Sequence, residues 1–429
     1  MNIIEFPGTE QWSTILARPV IEDKQLLKTV EKILTGVKTK GDRWLKKLSK
    51  QFDGYSPRQL MVSEKEIRSA EKEISTELKA SIDTAVSTIH RFHMHQVEQK
   101  QVIETLPGVT CWRRATPIDR VGLYIPGGTA PLLSTVLMLG IPARIANCPE
   151  IVLCTPLGKQ GKIHPAILYC ASRVGIKEIY ACGGAQAIAA MAYGTESIRK
   201  VDKIFGPGNQ YVTAAKRLVQ LDGVAIDMPA GPSEVCVVAD QSAFPPFVAA
   251  DLLSQAEHGA DSQVVVISNS RSVLEEIVRE MKLQLLDLPR SAVASKAIEN
   301  SRAILVENMS IAMEMANQYA PEHLIIASKN YESLEPLVKN AGSVFLGNYS
   351  PESAGDYASG TNHTLPTNGN ARAMAGVSVD SFVKKITFQS ITPEGLSQIG
   401  TAVMHMARAE GLEAHARAVE LRLKNKINV

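Results

Sequence analysis

The stretch EIYACGGAQAIAAMAYG at 178–194 indicates the fold class of this chain. It opens with apolar, strand-like residues, turns at a Gly-Gly pair, and continues into an alanine-rich segment of good helix formers. This order of strand, glycine turn and helix is typical of the βαβ unit of a parallel sheet. The stretch therefore predicts an α/β fold.

The same pattern recurs on both sides of this stretch. The first series has five strand-like runs: the opening stretch itself, VGLYIPGG from 121, IVLCTPLG from 151, KIFGPGNQYVTAAKRLV from 203 and SEVCVVAD from 233. The second series consists of QVVVIS at 263–268, AILVEN at 303–308, HLIIAS at 323–328 and GSVFLG at 342–347. Two α/β units of similar size therefore flank residue 235, and in the first of them we expect ligands at the carboxyl ends of the strands, where its glycine-rich turns lie.

The remaining segments are predicted to be an arm and helices. Residues 1–20 are interpreted as an irregular arm, and residues 21–105 as charged helices. One of these helices is predicted to start at a capping box and to continue, at helical spacing, to Phe92. After residue 370 come a glycine-rich connection, the strand-like run SFVKKITFQSI and two helices.

Three histidines near the end of that predicted helix could be read as a metal site. His90, His93 and His95 are spaced so that they scatter around the helix. Metal ligands on one helix need to share a face. We therefore interpret all three as surface histidines.

Composition favours an enzyme that acts on a small polar metabolite. The 429 residues include 46 Lys and Arg and 44 Asp and Glu, for a formal charge of +2, so nothing indicates a nucleic-acid or membrane-surface partner. The N-terminal residues lack a secretory pattern, and the most apolar window, APLLSTVLMLGIPA at 130–143, is too short to span a membrane. A cytoplasmic location is the expectation.

The six cysteines occur singly, without a C-x-x-C pair. Most lie inside apolar runs, which favours small buried side chains over disulfides or zinc thiolates. Cys182, directly before Gly183, is a weak candidate for a nucleophile that attacks an aldehyde, because no histidine stands beside it in the sequence.

Four glycine-rich turns could bind a dinucleotide. They are YIPGG at 124–128, GGAQ at 183–186, GPGN at 206–209 and AGPSE at 230–234. None has the full G-x-G-x-x-G pattern, so each is also compatible with an ordinary turn between a strand and a helix. Main-chain N–H groups at a helix start still bind pyrophosphate without that pattern.

The stretch DLLSQAEHG at 251–259 carries side chains that could bind a metal. In a helix that starts at the prolines 245–246, the side chains of Asp251, Gln255 and His258 share one face. A histidine at a helix C-terminus with solvated neighbours explains the same pattern without a metal. A metal site therefore requires ligands from elsewhere in the chain.

The motif PEHL at 321–324 places a carboxylate beside an imidazole directly before a strand. Glu322 and His323 would offer a general base and a group that activates water within one site. Downstream, the loop SAGDYASGTNHTLPT at 353–367 is rich in Gly, Ser and Thr. Long polar loops near strand ends are either functional or merely exposed, and we interpret this one as functional.

The last motif is EGLEAH at 410–415, between the two terminal helices. By itself it is equally well explained as a solvated helix start. Together with earlier motifs it completes a set of four nitrogen and oxygen ligands, namely Gln255, His258, Asp356 and His415. Zinc accepts such a set, and the absence of thiolate from it favours a site that also takes substrate.

The chain resembles the histidinol dehydrogenases over nearly its full length. The resemblance is carried by SQAEHG, AGPSE, PEHL, SAGDYASGTNHTLPT and EGLEAH, in the family's order and with similar separations. It implies a zinc- and NAD-dependent enzyme that oxidises L-histidinol through L-histidinaldehyde to L-histidine with two NAD, the last steps of histidine biosynthesis. The first sixty or so residues are the least distinctive.

The resemblance also assigns roles to individual residues. It implies one zinc per subunit, bound by Gln255, His258, Asp356 and His415, with His415 from the partner in an intertwined homodimer. It implies that Glu322 and His323 are the acid–base pair. The implied substrate contacts are Ser233, His363 and Glu410, together with His323 and the four metal ligands, and the implied NAD contacts are Tyr124, Gln186 and Asn209.

We therefore expect two Rossmann-like parallel-sheet domains. Residues 21–118 with 235–370 would form the domain with the metal and catalytic residues, and 119–234 the NAD-binding domain. Residues 1–20 would be an N-terminal arm, and 371–429 a helical C-terminal extension that reaches the partner subunit.

Two other functions compete with this assignment. A related zinc- and NAD-dependent dehydrogenase could act on another small alcohol. A zinc hydrolase could use an Asp/His/His set with Glu322 as its base, although it would not need the four glycine-rich turns.

Overall fold

A computed structural model describes residues 1–19, 24–127, 131–158, 160–229 and 231–425. Over these residues the strands, in chain order, are β1 (Ile3–Glu5), β2 (Val102–Leu106), β3 (Val109–Pro117), β4 (Arg120–Tyr124), β5 (Glu150–Thr155), β6 (Glu178–Ala181), β7 (Lys203–Phe205), β8 (Ala225–Ile226), β9 (Glu234–Ala239), β10 (Gln263–Ser268), β11 (Arg302–Leu305), β12 (His323–Ala327), β13 (Ser343–Leu346) and β14 (Val383–Ile391). The α-helices are α1 (Trp12–Ile15), α2 (Lys24–Phe52), α3 (Glu64–Ala70), α4 (Thr76–Met94), α5 (Leu133–Ile145), α6 (Pro165–Arg173), α7 (Gly184–Tyr193), α8 (Gln210–Leu221), α9 (Pro245–Ala256), α10 (Arg271–Leu285), α11 (Ser291–Glu299), α12 (Met309–Tyr319), α13 (Tyr331–Leu334), α14 (Glu352–Tyr357), α15 (Pro393–Ala409) and α16 (Glu413–Lys424).

The chain divides into two compact units. The main unit consists of Met1–Gln96 and Asp119–Phe382, and the small unit of Val97–Ile118 and Val383–Val429. Both series of predicted strands lie in the main unit. The small unit contains a three-stranded antiparallel sheet, in the order β14-β3-β2, together with α15 and α16.

The main unit contains two parallel sheets with the same strand order. The five-stranded sheet has the order β6-β5-β4-β7-β8, and the six-stranded sheet has β1-β11-β10-β9-β12-β13. We number the strands of the five-stranded sheet from β4 and those of the six-stranded sheet from β9, in chain order. Five adjacent strands in each sheet then have the order 3-2-1-4-5 of Rossmann sheets, and β1 is the additional edge strand of the larger sheet. The prediction of two Rossmann-like parallel sheets is confirmed, and the expected domain boundaries stay a prediction.

The six-stranded sheet is buried on both faces. Successive residues of a strand point to opposite faces, so Val235 and Val237 pack with Leu252 of α9, whereas Cys236 packs with Tyr319 of α12. All residues of β9 and β10 are buried. Continuous apolar strands of this kind are what a parallel sheet between two helical layers requires.

Residues 227–233 connect the two sheets along the chain. The strand β8 ends at Ile226 on the carboxyl edge of the five-stranded sheet, and β9 starts at Glu234 on the amino edge of the six-stranded sheet. Seven residues span at most about 25 Å. Because α9 runs back from the end of β9 to the start of β10, its C-terminus also lies at this amino edge.

Several local predictions were wrong. The segment 102–117 forms the hairpin of β2 and β3 rather than the end of a helical region, and the arm contributes β1, which pairs with β11. The capping box of Ser63 and Glu66 is present, but the single helix predicted to follow it is interrupted at Ile74, whose backbone is extended. A new helix then starts with Ser75 as its cap because this serine accepts the N–H of Leu78.

His93 is not a surface histidine. It is fully buried, whereas His90 and His95 are exposed. Its Nδ1 lies 2.8 Å from Oε1 of Gln96, and its Nε2 lies 3.4 Å from the side-chain amide of Asn362. The hydrogen bonds to Gln96 and Asn362 replace those that the ring would make to water. The spacing of residues within α4 does not indicate either partner.

The cysteines and the helices agree with the sequence-based expectations. All six cysteines lie in the described ranges as free thiols, five of them buried. Burial raises the pKa of Cys182 well above its ordinary value, which disfavours it as a nucleophile. Within the parts of the chain that the structure describes, no helix is both long and apolar enough to cross a membrane.

Candidate active site

Glu322 and His323 lie at the start of β12, beside the first residue of β9. The main-chain N–H of Glu234 donates to Oε2 of Glu322 at 3.0 Å, and the main-chain carbonyl of Glu234 lies 3.1 Å from Nδ1 of His323. Both side chains are buried, with exposed fractions of 7% and 3% for the two residues. One residue of the neighbouring strand therefore orients both members of the predicted acid–base pair.

This contact defines the protonation of the His323 ring. A carbonyl oxygen can only accept a hydrogen bond, so Nδ1 carries the hydrogen and Nε2 has a free lone pair. Nε2 is buried, lies 3.8 Å from Oδ1 of Asp356, and has no hydrogen-bond partner among the described residues. His323 therefore presents a basic nitrogen to the interior of the site.

The short helix α14 brings two carboxylates to the same place. Glu352 and Asp356 are four residues apart and so share one face of this helix. Among the described residues, ligand atoms of His323, Glu352 and Asp356 all lie within 4.8 Å of one another. The segment predicted to be a loop thus begins as a helix, and that helix completes a buried cluster.

Gln255, in the last turn of α9, joins the cluster through Glu352. Its side-chain Nε2 donates a short hydrogen bond to Oε1 of Glu352, and both residues are 1% exposed. Four polar side-chain atoms at this site are buried with no hydrogen-bond partner in the described part of the chain: Gln255 Oε1, His323 Nε2, Glu352 Oε2 and His363 Nε2. Buried polar atoms are seldom left unpaired, so this set indicates a bound group that supplies their partner.

Burial keeps the charged forms of these groups unfavourable. It raises the pKa of Glu322 well above its ordinary value, and it raises the pKa of Asp356 to about 7. Burial and then the charge of Asp356 raise the pKa of Glu352 well above its ordinary value. Burial lowers the pKa of His323 to about 3, so its ring is neutral near pH 7.

His258 and His363 lie near His323. The charge of each lowers the pKa of His323, after the larger effect of burial, and burial lowers the pKa of His363 to about 4. His258 follows the end of α9 rather than lying in its last turn, and it is exposed in the single chain. Ser233 directly precedes Glu234 and accepts the N–H of Gln263 on its carbonyl.

The donor set is suited to a divalent cation. It contains a carboxamide oxygen, carboxylates and imidazole nitrogens, all on the amino edge of one sheet, and catalytic zinc sites use such mixtures of nitrogen and oxygen. Asp356 is both a predicted ligand and a member of this cluster. Gln255 would contribute its unpaired Oε1.

The other two predicted residues of the site belong to the small unit. Glu410 caps the C-terminus of α15, and His415 lies in the first turn of α16. Gly411 between them has a φ of 76°, a left-handed conformation that suits glycine and that separates the two helices. Both side chains are exposed in the single chain.

The predicted NAD contacts all lie at the carboxyl edge of the five-stranded sheet. Tyr124 ends β4, Gln186 lies in the first turn of α7, and Asn209 caps α8 by accepting the N–H groups of Tyr211 and Val212. The hydroxyl of Tyr124 accepts the N–H of Gly184 at 3.0 Å. Of the predicted turn residues, Gly128 and Ala230 lie outside the described residues.

The GPGN turn after β7 is built around Gly206. Its φ is 125°, and a Cβ there would lie 2.1 Å from the carbonyl oxygen of Tyr124. Asp227 accepts its N–H at 2.7 Å, and Lys216 donates to its carbonyl at 2.8 Å. These contacts hold the main chain of Gly206, which has no side chain, beside the carboxyl ends of the neighbouring strands β4 and β7. The strand order reverses direction between these two strands, and Rossmann sheets bind dinucleotides at that position.

Sequence reasoning missed Glu352. Its position was visible as the first residue of ESAGDY, directly after Pro351, with Asp356 four residues later. A proline directly before a helix is a helix-start signal. Two acids four residues apart lie on the same face of a helix. The glycine and serine residues downstream instead favoured a loop.

Two Rossmann-like sheets with a buried acid–base cluster beside them define the general class of an α/β dehydrogenase. A family model described as histidinol dehydrogenase matches residues 16–423. A histidinol dehydrogenase from Bacteroides fragilis is 58% identical over 99% of both chains, and one from Vibrio parahaemolyticus is 51% identical over 97% of this chain and 96% of its own. A crystal structure of histidinol dehydrogenase from Elizabethkingia anophelis superposes with a TM-score of 0.97 at 53% identity, over 99% of this chain and 98% of its own.

These matches span almost the whole chain. The chain therefore belongs to the histidinol dehydrogenase family of oxidoreductases.

Proposed function

We propose that this protein oxidises L-histidinol to L-histidine in two NAD-dependent steps through L-histidinaldehyde, the last steps of histidine biosynthesis. The observation that carries the proposal is the buried cluster around His323, in a chain that belongs to the family over its whole length. The unpaired polar atoms of that cluster are groups that a polar substrate and a cation would pair. The predicted cytoplasmic location stays a prediction.

In the first step His323 acts as the base. Its neutral ring, with hydrogen on Nδ1, accepts the proton of the substrate alcohol at Nε2 as the carbon loses hydride. NAD, when bound, accepts that hydride. The carbonyl of Glu234 stabilises the resulting imidazolium because it keeps its hydrogen bond to Nδ1.

In the second step a water adds to the aldehyde. Glu322 or His323 removes a proton from this water as it adds to the aldehyde. The hydrate becomes the carboxylate by losing its carbon-bound hydride, which a second NAD would accept when bound, and its hydroxyl protons, which pass to the base and to solvent. The N–H of Glu234 donates to Glu322 and holds its carboxyl group in one orientation. Burial excludes bulk water, so only a water admitted to the site reacts.

The residues that would bind zinc are Gln255, His258, Asp356 and His415 of the partner subunit. When bound, zinc would fix the amino and imidazole nitrogens of the substrate and act as a Lewis acid. Glu352 accepts a hydrogen bond from Nε2 of Gln255, which leaves the buried Oε1 of that amide available as a ligand. Correct positioning of reacting groups is worth about 7–11 kcal/mol of a reaction barrier.

NAD is assigned to the carboxyl edge of the five-stranded sheet. The contacts would be Tyr124, Gln186 and Asn209, and the bare main chain at Gly206 allows close approach of a pyrophosphate. Asn209 already uses Oδ1 to cap α8, so its side-chain NH₂ group is the part left for the cofactor.

The active form is proposed to be an intertwined homodimer with a shared site. Glu410 and His415 are exposed in the single chain, as residues that serve a neighbouring subunit would be. Glu410, His363 and Ser233 are assigned to the substrate.

The test is an assay of NADH formed from histidinol and NAD, before and after chelation and after return of zinc. We expect about two NADH per histidinol consumed, loss of turnover on chelation, and recovery with zinc. NADH formation from another small alcohol, but not from histidinol, would favour the related dehydrogenase. An active hydrolase without NADH formation would contradict the proposal altogether.

A further inference from the structure

Arg18, in the N-terminal arm, contacts the residue that orients the acid–base pair. Its Nε and Nη2 donate to the two carboxylate oxygens of Glu234 at 2.6 and 2.8 Å. The side chains of Arg18 and Glu234 are 17% and 3% exposed. Paired hydrogen bonds of this geometry use the planar fork of the guanidinium, which a lysine ammonium cannot reproduce.

The same guanidinium also holds the turn that leads into β12. Its Nη2 donates to the carbonyls of Tyr319 and Ala320 at 2.8 and 3.4 Å, and its centre lies 4.1 Å from the centre of the Tyr319 ring. Ala320 has a φ of 51°, a left-handed conformation that is unfavourable for alanine. Two residues later the chain reaches Glu322. Arg18 therefore restrains the turn before the acid–base pair and also, through Glu234, the start of the neighbouring strand β9.

Further contacts make this connection rigid. The main-chain N–H of Asn368 donates to Oε1 of Glu234 at 2.8 Å. The carbonyl of Ala17 accepts Nε2 of Gln263 at 3.1 Å, and the hydroxyl of Tyr319 donates to Oε1 of the same glutamine at 2.9 Å. The arm is thus hydrogen-bonded to the starts of β9 and β10 and to the turn before β12.

We propose that Arg18 is a positioning residue for the oxidation: it holds Glu234, whose main-chain N–H and carbonyl orient Glu322 and His323. Arg18 itself touches neither member of the pair. Its effect passes through the main chain of one residue, because Glu234 binds Arg18 with its side chain and the pair with its backbone. The kinetic part of the test rests on the proposed function, and the spectroscopic part does not.

The chain offers a matched control for this contact. Arg271 and Glu5 form a second ion pair of the arm, between the start of α10 and β1, with Nη1 donating to Oε1 at 2.7 Å. These side chains are 47% and 46% exposed, and neither residue contacts the acid–base cluster in the described structure. Arg18→Lys and Arg271→Lys therefore make the same chemical change to two arm contacts, only one of which reaches the site.

The kinetic experiment compares the two variants with the wild type in kcat, the KM for histidinol, the KM for NAD, the zinc content and the melting temperature. For Arg18→Lys we expect kcat to fall at least tenfold while the KM for NAD and the zinc content stay within twofold. For Arg271→Lys we expect all these values to stay within twofold. A kcat for Arg18→Lys within twofold of wild type would overturn the proposal.

A double variant separates positioning from folding. Arg18→Met with Glu234→Gln removes both buried charges, so neither is left without its partner, while the main chain of residue 234 is kept. We expect this variant to melt close to the wild type and yet to retain the tenfold loss of kcat. Wild-type turnover in a folded double variant would show that the ion pair has only a structural role.

A spectroscopic readout does not depend on turnover. With ¹⁵N-labelled histidine, the nine histidines give a small set of ring signals, and the one lost in His323→Asn reports the Nδ1 hydrogen bond. We expect this signal to shift or broaden in Arg18→Lys and to be unchanged in Arg271→Lys. An unchanged signal in both variants would refute the proposal even if histidinol proved not to be the substrate.

Discussion

Gln255 donates its side-chain amide to Glu352, and the opposite atom of that amide, Oε1, is buried without a partner in the described structure. The two residues come from α9 and α14, almost a hundred positions apart in the sequence. Since an amide has one donor end and one acceptor end, engaging the donor leaves the acceptor atom Oε1 available to bind another group. The carboxylate of Glu352 therefore prepares Gln255 to act as an oxygen ligand.

Removal of this carboxylate should weaken metal binding. In Glu352→Ala the amide of Gln255 loses its restraint, so we expect the affinity for zinc to fall about 10- to 100-fold, the usual effect of losing a residue that orients a ligand. Competition with a chromophoric chelator measures it. Glu332→Ala, at an exposed position of α13, is the control and should bind zinc as the wild type does. Equal affinities in both variants would refute the role of Glu352.

Substitutions of His323 and of Glu322 should affect the two oxidation steps differently. His323→Asn removes the basic Nε2 and is expected to reduce both steps by about 10²- to 10⁴-fold. Glu322→Gln should chiefly slow the oxidation of the aldehyde. Rates of NADH formation from histidinol and from histidinaldehyde, measured separately, test this division. Equal losses of both rates in Glu322→Gln would argue against it.

A shared site should allow subunits to complement each other. Gln255→Ala and His415→Ala homodimers are each expected to bind little zinc and to have little activity. If subunits are exchanged by mild denaturation and refolding, a mixed dimer regains one intact site, so activity should rise toward about one quarter of the wild type for random pairing. A mixture without activity, despite proven exchange, would indicate that each site is formed by a single chain.

Metal removal should make the protein less stable above neutral pH. Burial raises the pKa of Asp356 to about 7, above the unfolded value of about 3.9, so the folded metal-free chain binds more protons than the unfolded chain over this window. The protonated carboxyl contributes its full stability below the unfolded pKa of about 3.9. This contribution is lost as the pH rises through the folded pKa of about 7. The raised pKa of Glu352 acts in the same direction.

His323 opposes this trend only below about pH 6.5. Its pKa is lowered to about 3, so it destabilises the folded chain only as the pH falls below its unfolded value of about 6.5. Melting temperatures of chelated protein should therefore fall between about pH 6.5 and 8, and less steeply in Asp356→Asn. A flat profile for the wild type, or identical slopes in the two proteins, would contradict this account.

The fold class was predictable because parallel sheets need continuous apolar strands. All five strand-like runs of the first series and all four of the second occur in parallel sheets, with β10 at the predicted residues. The hairpin of β2 and β3 was missed because β2 is fully exposed, β3 is mostly half-buried, and both strands mix polar with apolar residues. Such a pattern carries no clear period of two.

The sequence predicted candidate residues of the site but not their geometry. Glu322 and His323 were expected to lie side by side, and the structure adds that Glu234 orients both. The contacts of Glu352 and Arg18 were not predicted. Each of these residues contacts a partner that is distant in the sequence, Gln255 and Glu234, respectively.

Local apolar patterns and motif spacing are written along the chain, so the two Rossmann-like sheets, the family motifs and the candidate residues of the site could be predicted from them. The polar atoms that remain unpaired, and the nitrogen of His323 that is free, are known only from the folded chain. Hydrogen-bond partners and burial depend on strands and helices that meet from distant parts of the chain. The arm shows this most clearly, since nothing near Arg18 in the sequence indicates that its guanidinium holds Glu234 at the acid–base pair.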